Sequence, residues 1–102
     1  MNIKGALTLL GFAQKAGKLA AGESAVENFL KKGRLLLLVI SAELSEPRKM
    51  FWQQQAEFYQ IPWITLEATK LELGLAIGLS PRGVVGVLDQ NMAEAIMKKM
   101  QD

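Results

Sequence analysis

The chain contains neither cysteine nor histidine. Without cysteine there is no disulfide, no thiolate metal site and no cysteine nucleophile, a composition that fits a reducing cytosol. Without histidine, the commonest general base and the commonest metal ligand are both missing. No apolar run approaches the roughly 18 residues of a membrane span. The apolar start from Gly5 to Leu10 superficially resembles a signal peptide. Gln14 and Lys15 interrupt it and no small-x-small cleavage site follows, so it reads as a helix of the mature fold. There is no linker, repeat or low-complexity segment. What is present in quantity is hydrophobic residue, 50% of 102, which argues against disorder and for one domain over residues 1–102 with a real core.

The net charge is only +2, but it is unevenly placed. Residues 1–34 hold six basic residues (Lys4, Lys15, Lys18, Lys31, Lys32, Arg34) against two acids, Glu23 and Glu27, while the remainder holds six basic and eight acidic residues. Charges this scattered suit solvated helix faces; concentrated in one end of a fold they would make an anion-binding surface.

Helical and strand patterns alternate along the chain. Ile3, Ala6, Leu7, Leu10 and Ala13 recur at helical spacing after a capping Asn2. Gly17 ends that helix, and Leu19–Ala21 forms a short strand. Glu23–Lys32 is a second helix with Val26, Phe29 and Leu30 inward, stopped by Gly33. Leu35–Ile40 is a continuous aliphatic run of strand length, the pattern of a strand covered on both faces. Ser45 and Pro47 open a third helix ending near Tyr59, and Pro62–Thr65 is a strand. Thr69 and Glu72 form a capping box for a helix that Gly78 ends; Val84–Leu88 is a buried strand; Asn91 with Glu94 caps a last helix, Met92–Met100. The order αβαβαβαβα predicts an α/β fold with helices on both faces of a sheet that is at least partly parallel.

Enzyme readings find little support. Glu43 with Glu46, and Glu67 with Glu72, sit at helix starts, where acids complement the helix dipole. Asp89 follows a strand and is suited to preparing the last helix start. Ser24 has no histidine to activate it. Gly17, Gly22 and Ser24 match the spacing of a phosphate-binding loop, but Glu23 stands where that loop needs lysine, and a helix rather than a buried strand precedes Gly17. No catalytic residue, metal site, cofactor or small-molecule substrate is expected. The aromatics Phe51, Trp52, Phe58 and Tyr59 suit either core packing, with Trp52 or Tyr59 at a helix edge, or a base-stacking surface; core packing is the expectation.

Two segments suggest binding. Gly22 opens a helix whose first backbone N–H groups have no partner within the helix, a site suited to phosphate or a polar base edge. The loop Gly78-Leu79-Ser80-Pro81-Arg82-Gly83 joins a helix to a strand and combines a rigid proline, an arginine and a permissive glycine, which taken alone make a tight turn with a solvated arginine. In an alternating α/β fold, loops at one end of the sheet lie together, so the Gly22 helix start and the Arg82 loop are expected to share a surface.

Ala16-Gly17-Lys18-Leu19, Gly22-Glu23-x-x-Val26, Lys32-Gly33-Arg34 before an aliphatic strand, and Leu73-Gly74-x-Ala76-Ile77-Gly78 together resemble the kink-turn-binding ribosomal proteins of the L7Ae and L30e type, in particular their small bacterial members. The resemblance spans essentially the whole chain. It implies a three-layer α/β/α sandwich around a mixed four-stranded sheet, no catalysis, and recognition of a sharply bent internal loop in RNA, ribosomal RNA or another ribonucleoprotein included. It places the groove of the bend at Gly22–Asn28 and the flipped-out bases at Leu79–Val84. Lys15, Lys18, Lys31, Lys32 and Arg34 become candidate phosphate contacts. Gly22, Glu23, Ser24 and Asn28 become candidate base-edge or backbone contacts, and Ser80, Pro81, Arg82 and Gly83 cover the bulge. Where other members carry an asparagine–glutamate pair and a nearby lysine, this chain has Ser24, Ala25 and Asn28. Glu23 and Glu27 beside the site should weaken phosphate contact. A second reading follows from those departures: a protein-interaction module of the same fold that has lost RNA recognition.

Overall fold

The computed structural model describes residues 1–101. Its elements run α1 (Ile3–Lys15), β1 (Leu19–Ala21), α2 (Glu23–Lys31), β2 (Leu37–Ser41), α3 (Glu46–Phe58), β3 (Trp63–Leu66), α4 (Lys70–Ala76), β4 (Val84–Val87) and α5 (Gln90–Gln101). The strands form one sheet in the order β1-β4-β2-β3. β4 runs antiparallel to both β1 and β2, with Leu19 opposite Val87 and Ile40 opposite Val84, whereas β2 and β3 are parallel. The sheet is therefore mixed, as expected.

Alternation along β2 builds the two cores. Leu37 and Val39 pack with Ala6, Leu10, Leu73, Ile77 and Ile96, so α1, α4 and α5 cover one face. Leu38 and Ile40 pack with Val26, Leu30, Trp52 and Ala56, so α2 and α3 cover the other. All five residues of β2 are buried, which accounts for the aliphatic run up to Ile40; the buried Ser41 hydroxyl donates to the Ala68 carbonyl at 2.7 Å. The expected strand starts two residues early: Leu35 leaves the ladder and lies over Gly86, where a Cβ would come within 2.9 Å of Leu35 Cγ.

Local signals set the helix starts. Asn2 accepts from the Gly5 N–H (2.8 Å), Ser45 from Arg48 (3.3 Å), and Thr69 with Glu72 completes a capping box. The last helix departs from the expected register. It begins at Gln90 rather than Met92, and Asp89, not Asn91, supplies the acceptor for its first turn, taking the Met92 N–H at 2.9 Å. Glu94 instead accepts from the Gln90 side chain. The third helix also departs from the core reading of its aromatics. Trp52 is 1% exposed, but Phe58 is 77% exposed and Phe51 lies at the surface, each meeting its neighbour edge-on.

Candidate nucleic-acid interface

Gly22 is the hinge between β1 and α2. Its backbone (φ 93°, ψ 168°) lies in a region essentially reserved for glycine, and its N–H donates to the Val84 carbonyl at 2.9 Å. No side chain caps the start of α2. The Arg82 loop reaches the same place from the other side of β4. Gly74 lets this loop lie directly on α4, since a Cβ there would stand 2.9 Å from Pro81 Cα. The Arg82 N–H donates to the Lys70 carbonyl (3.0 Å), and the Lys70 N–H donates to Glu43 (2.9 Å). Gly83 accepts from the Ser41 N–H at the end of β2. The arginine folds back on its own loop: Nη1 donates to the Ser80 carbonyl (2.9 Å), to Ser80 Oγ (2.6 Å) and to the Pro81 carbonyl (3.3 Å).

These two segments enclose an open groove of about 550 Å³. Of the expected residues, Gly22, Glu23, Ser24, Pro81, Arg82 and Gly83 line it, and Ser80 braces Arg82 from behind. The groove is continued by a stripe along α2. Ser24, Asn28 and Lys31 share one side of the helix and line a second, shallower depression of about 250 Å³.

The other cations lie away from the groove. Lys31, Lys32 and Arg34 are at the far end of α2, about 13 Å along a helix of nine residues. Lys32 and Arg34 stand over the Phe29 ring at 5.8 and 5.7 Å. Lys15 is in the last turn of α1. Lys18 precedes β1 and pairs with Asp89 at 3.3 Å. The Asp89 carboxyl is held below its usual range, chiefly by the Met92 N–H and further by Lys18.

The two acids expected to oppose an anion are both engaged. Glu27 pairs with Lys31 at 2.9 Å, and this raises the Lys31 ammonium above its usual pKa. Glu23 accepts from the Arg48 guanidinium and, at 3.2 Å, from Trp52 Nε1. The hydrogen bond from Arg48 is the main reason its carboxyl sits below the usual range.

Arg48, Lys70 and Leu44 also line the groove and escaped the sequence reading. A signal for the two cations was present. Each lies in the first turn of its helix, where positive charge opposes the helix dipole, so each calls for some compensating role.

Residues 4–97 match the ribosomal protein L7Ae/L30e/S12e/Gadd45 family. The chain belongs to this family. It is similar to the RNA-binding protein YlxQ of Bacillus subtilis strain 168, with 29% identity over 89 residues covering 87% of this chain and 88% of that protein. It is also similar to the RNA-binding protein YlxQ of Enterococcus faecium, with 28% identity over 93 residues, covering 91% and 88%. Among solved structures, a protein of unknown function from Bacillus halodurans C superposes with a TM-score of 0.87 at 29% identity, over 95% of this chain and 97% of that one. The Giardia lamblia 15.5kD RNA binding protein shares the fold at a TM-score of 0.75 and 17% identity, over 93% and 81%. Among the described residues, no helix is long and apolar enough to cross a membrane, and no cluster of acidic side chains is arranged to hold a metal ion.

Proposed function

We propose that this protein is a non-catalytic binder of structured RNA, and that its target is a kink-turn or similarly bent internal loop in a ribonucleoprotein such as the ribosome. One observation carries the reading: the uncapped start of α2 and the Arg82 loop, 60 residues apart in sequence between Gly22 and Arg82, open onto one groove. The names of the YlxQ relatives support it.

The chemistry suits a bend. A kink brings phosphates together and exposes unpaired bases. Backbone N–H groups at a helix start and a fixed arginine stabilise that crowded charge more than they stabilise a straight duplex. In this reading Ser24 and Asn28 meet base edges in the opened groove of the RNA, and Arg82 and Pro81 cover the bulge. Lys31 and its neighbours follow the phosphates along α2. The protein then shifts an existing bending equilibrium toward the bent form by its difference in affinity.

The test is a titration of the protein against a labelled kink-turn RNA and against a matched duplex without the bulge, at two salt concentrations. Tight binding to the bent RNA alone, weakening with salt, is the expected result. Equal weak binding to both would reduce the interaction to unspecific electrostatics, and no binding to either would remove kink-turn recognition and leave another RNA or a protein partner as the ligand.

A further inference from the structure

We infer that Glu23 is a positioning residue rather than an RNA contact, and that the Arg48 guanidinium it holds is a stacking platform for an unpaired base. The inference rests on the RNA-binding reading and adds a specificity determinant to it.

Arg48 is fixed from three sides. Its guanidinium bonds Glu23, stands 4.7 Å from the centroid of the Phe51 ring, and lies 5.9 Å from that of Trp52. Glu23 is itself anchored to the core, because the indole that donates to it is buried. Phe51 is braced edge-on by the same indole, at 5.0 Å and 81°. Held against Phe51 in this way, the Arg48 side chain still remains 46% exposed and lines the groove beside Lys70 and Arg82.

A base is the ligand this geometry fits. The charge of Arg48 is already matched by Glu23, so the pair offers a phosphate little net attraction. A half-exposed guanidinium held in place by its partners offers a stacking surface instead, and proteins that read unpaired RNA bases use arginine planes in this way. The flanking cations Lys70 and Arg82 suit the phosphates on either side of such a base.

Lysine keeps the charge but has no plane, so Arg48→Lys separates the two roles. Affinities of wild type and Arg48→Lys are measured for the bent RNA and for versions made abasic at each unpaired position in turn. At one position, base removal is expected to weaken wild type about tenfold, the scale of one stacked base. Arg48→Lys should weaken binding of the intact RNA to a similar degree and lose nothing more on base removal, with an unchanged salt slope. Phe51→Leu and Glu23→Gln, checked for folding by thermal melting, should show the same insensitivity to that base. Losses that multiply at every position, or intact-RNA affinity unchanged in Arg48→Lys, would overturn the platform. Wild type that binds the bent RNA without dependence on any unpaired base overturns the platform alone; wild type that does not bind the bent RNA overturns the kink-turn reading with it.

Discussion

The two ends of α2 carry cations in different states of order. At the start, the arginines are held in place: Arg82 by its own loop, Arg48 by Glu23 and Phe51. At the far end, Lys31 is 65% exposed in a single surface pair, and Lys32 and Arg34 rest against the Phe29 ring. Under the proposed function both ends attract RNA through the same long-range field. The first has more of its side-chain entropy removed in advance, so under the proposed function it is the end expected to discriminate between shapes of RNA. Charge counted along a sequence does not separate these roles; the partners of each cation do.

Changing one charge at each end gives the largest contrast. Arg82→Glu should weaken the bent RNA about a hundredfold while leaving the straight duplex much less affected, since a fixed contact is lost and a repulsive one gained. Lys32→Gln should cost about two- to threefold on both RNAs and lower the salt slope by about 1. Fluorescence anisotropy at several salt concentrations reads both, and equal losses of selectivity in the two variants would erase the distinction between the ends.

The glycines that bound α2 permit a second test. Gly22→Ala should destabilise the fold by about 1–3 kcal/mol in urea unfolding, because alanine is strained at its φ and ψ. It should also cost selectivity for bent RNA, because the new methyl would stand 3.3 Å from Arg82 Cδ and Nε. Gly33→Ala, at φ 69° with nothing within 4 Å of the added carbon, should cost about 1–2 kcal/mol of stability and no RNA selectivity. Selectivity lost equally at Gly33 would show that the groove end has no special standing.

The smallest effect is in the pH dependence. Glu23 has a lowered pKa in the folded state, so its contribution to stability is present above 4.5 and fades as the pH falls through the folded-state value. Unfolding midpoints of Glu23→Gln should therefore decline less than those of wild type on the acid side. At the other end of the helix the sign is opposite. Lys31 has a raised pKa, so its contribution is present below 10.5 and is lost as the pH rises through the folded-state value. Glu27→Gln should therefore flatten the alkaline limb, and an alkaline limb identical to that of wild type would count against the pair.

The sandwich was legible because its signals are local. Caps at Asn2, Ser45 and Thr69, the aliphatic run of β2 and the helical spacing of α1 each need only a few residues of context. The shared groove could be anticipated from the alternation of strands and helices. Arg48 and Lys70 could not be placed there, because the bond from Arg48 to Glu23 spans 25 residues and depends on how α2 and α3 sit on the sheet. The same limit explains Glu23, which reads as a free acid in the sequence and is a partner in the fold. Phe58 reads as core by spacing, yet α3 spends its inward face on Trp52 and Ala56 and leaves Phe58 outside.

β4 comes last of the strands in the chain but lies inside the sheet, between β1 and β2. Until Val84–Val87 has been synthesised, β1 has no strand to pair with, and Gly22 lacks the Val84 carbonyl that fixes its N–H. Closing the sheet means bringing Leu19 to Val87 across most of the molecule, a non-local step that is slow relative to helix formation. The groove is thus completed by the same event that completes the fold, because the strand that closes the sheet also carries the carbonyl that fixes Gly22.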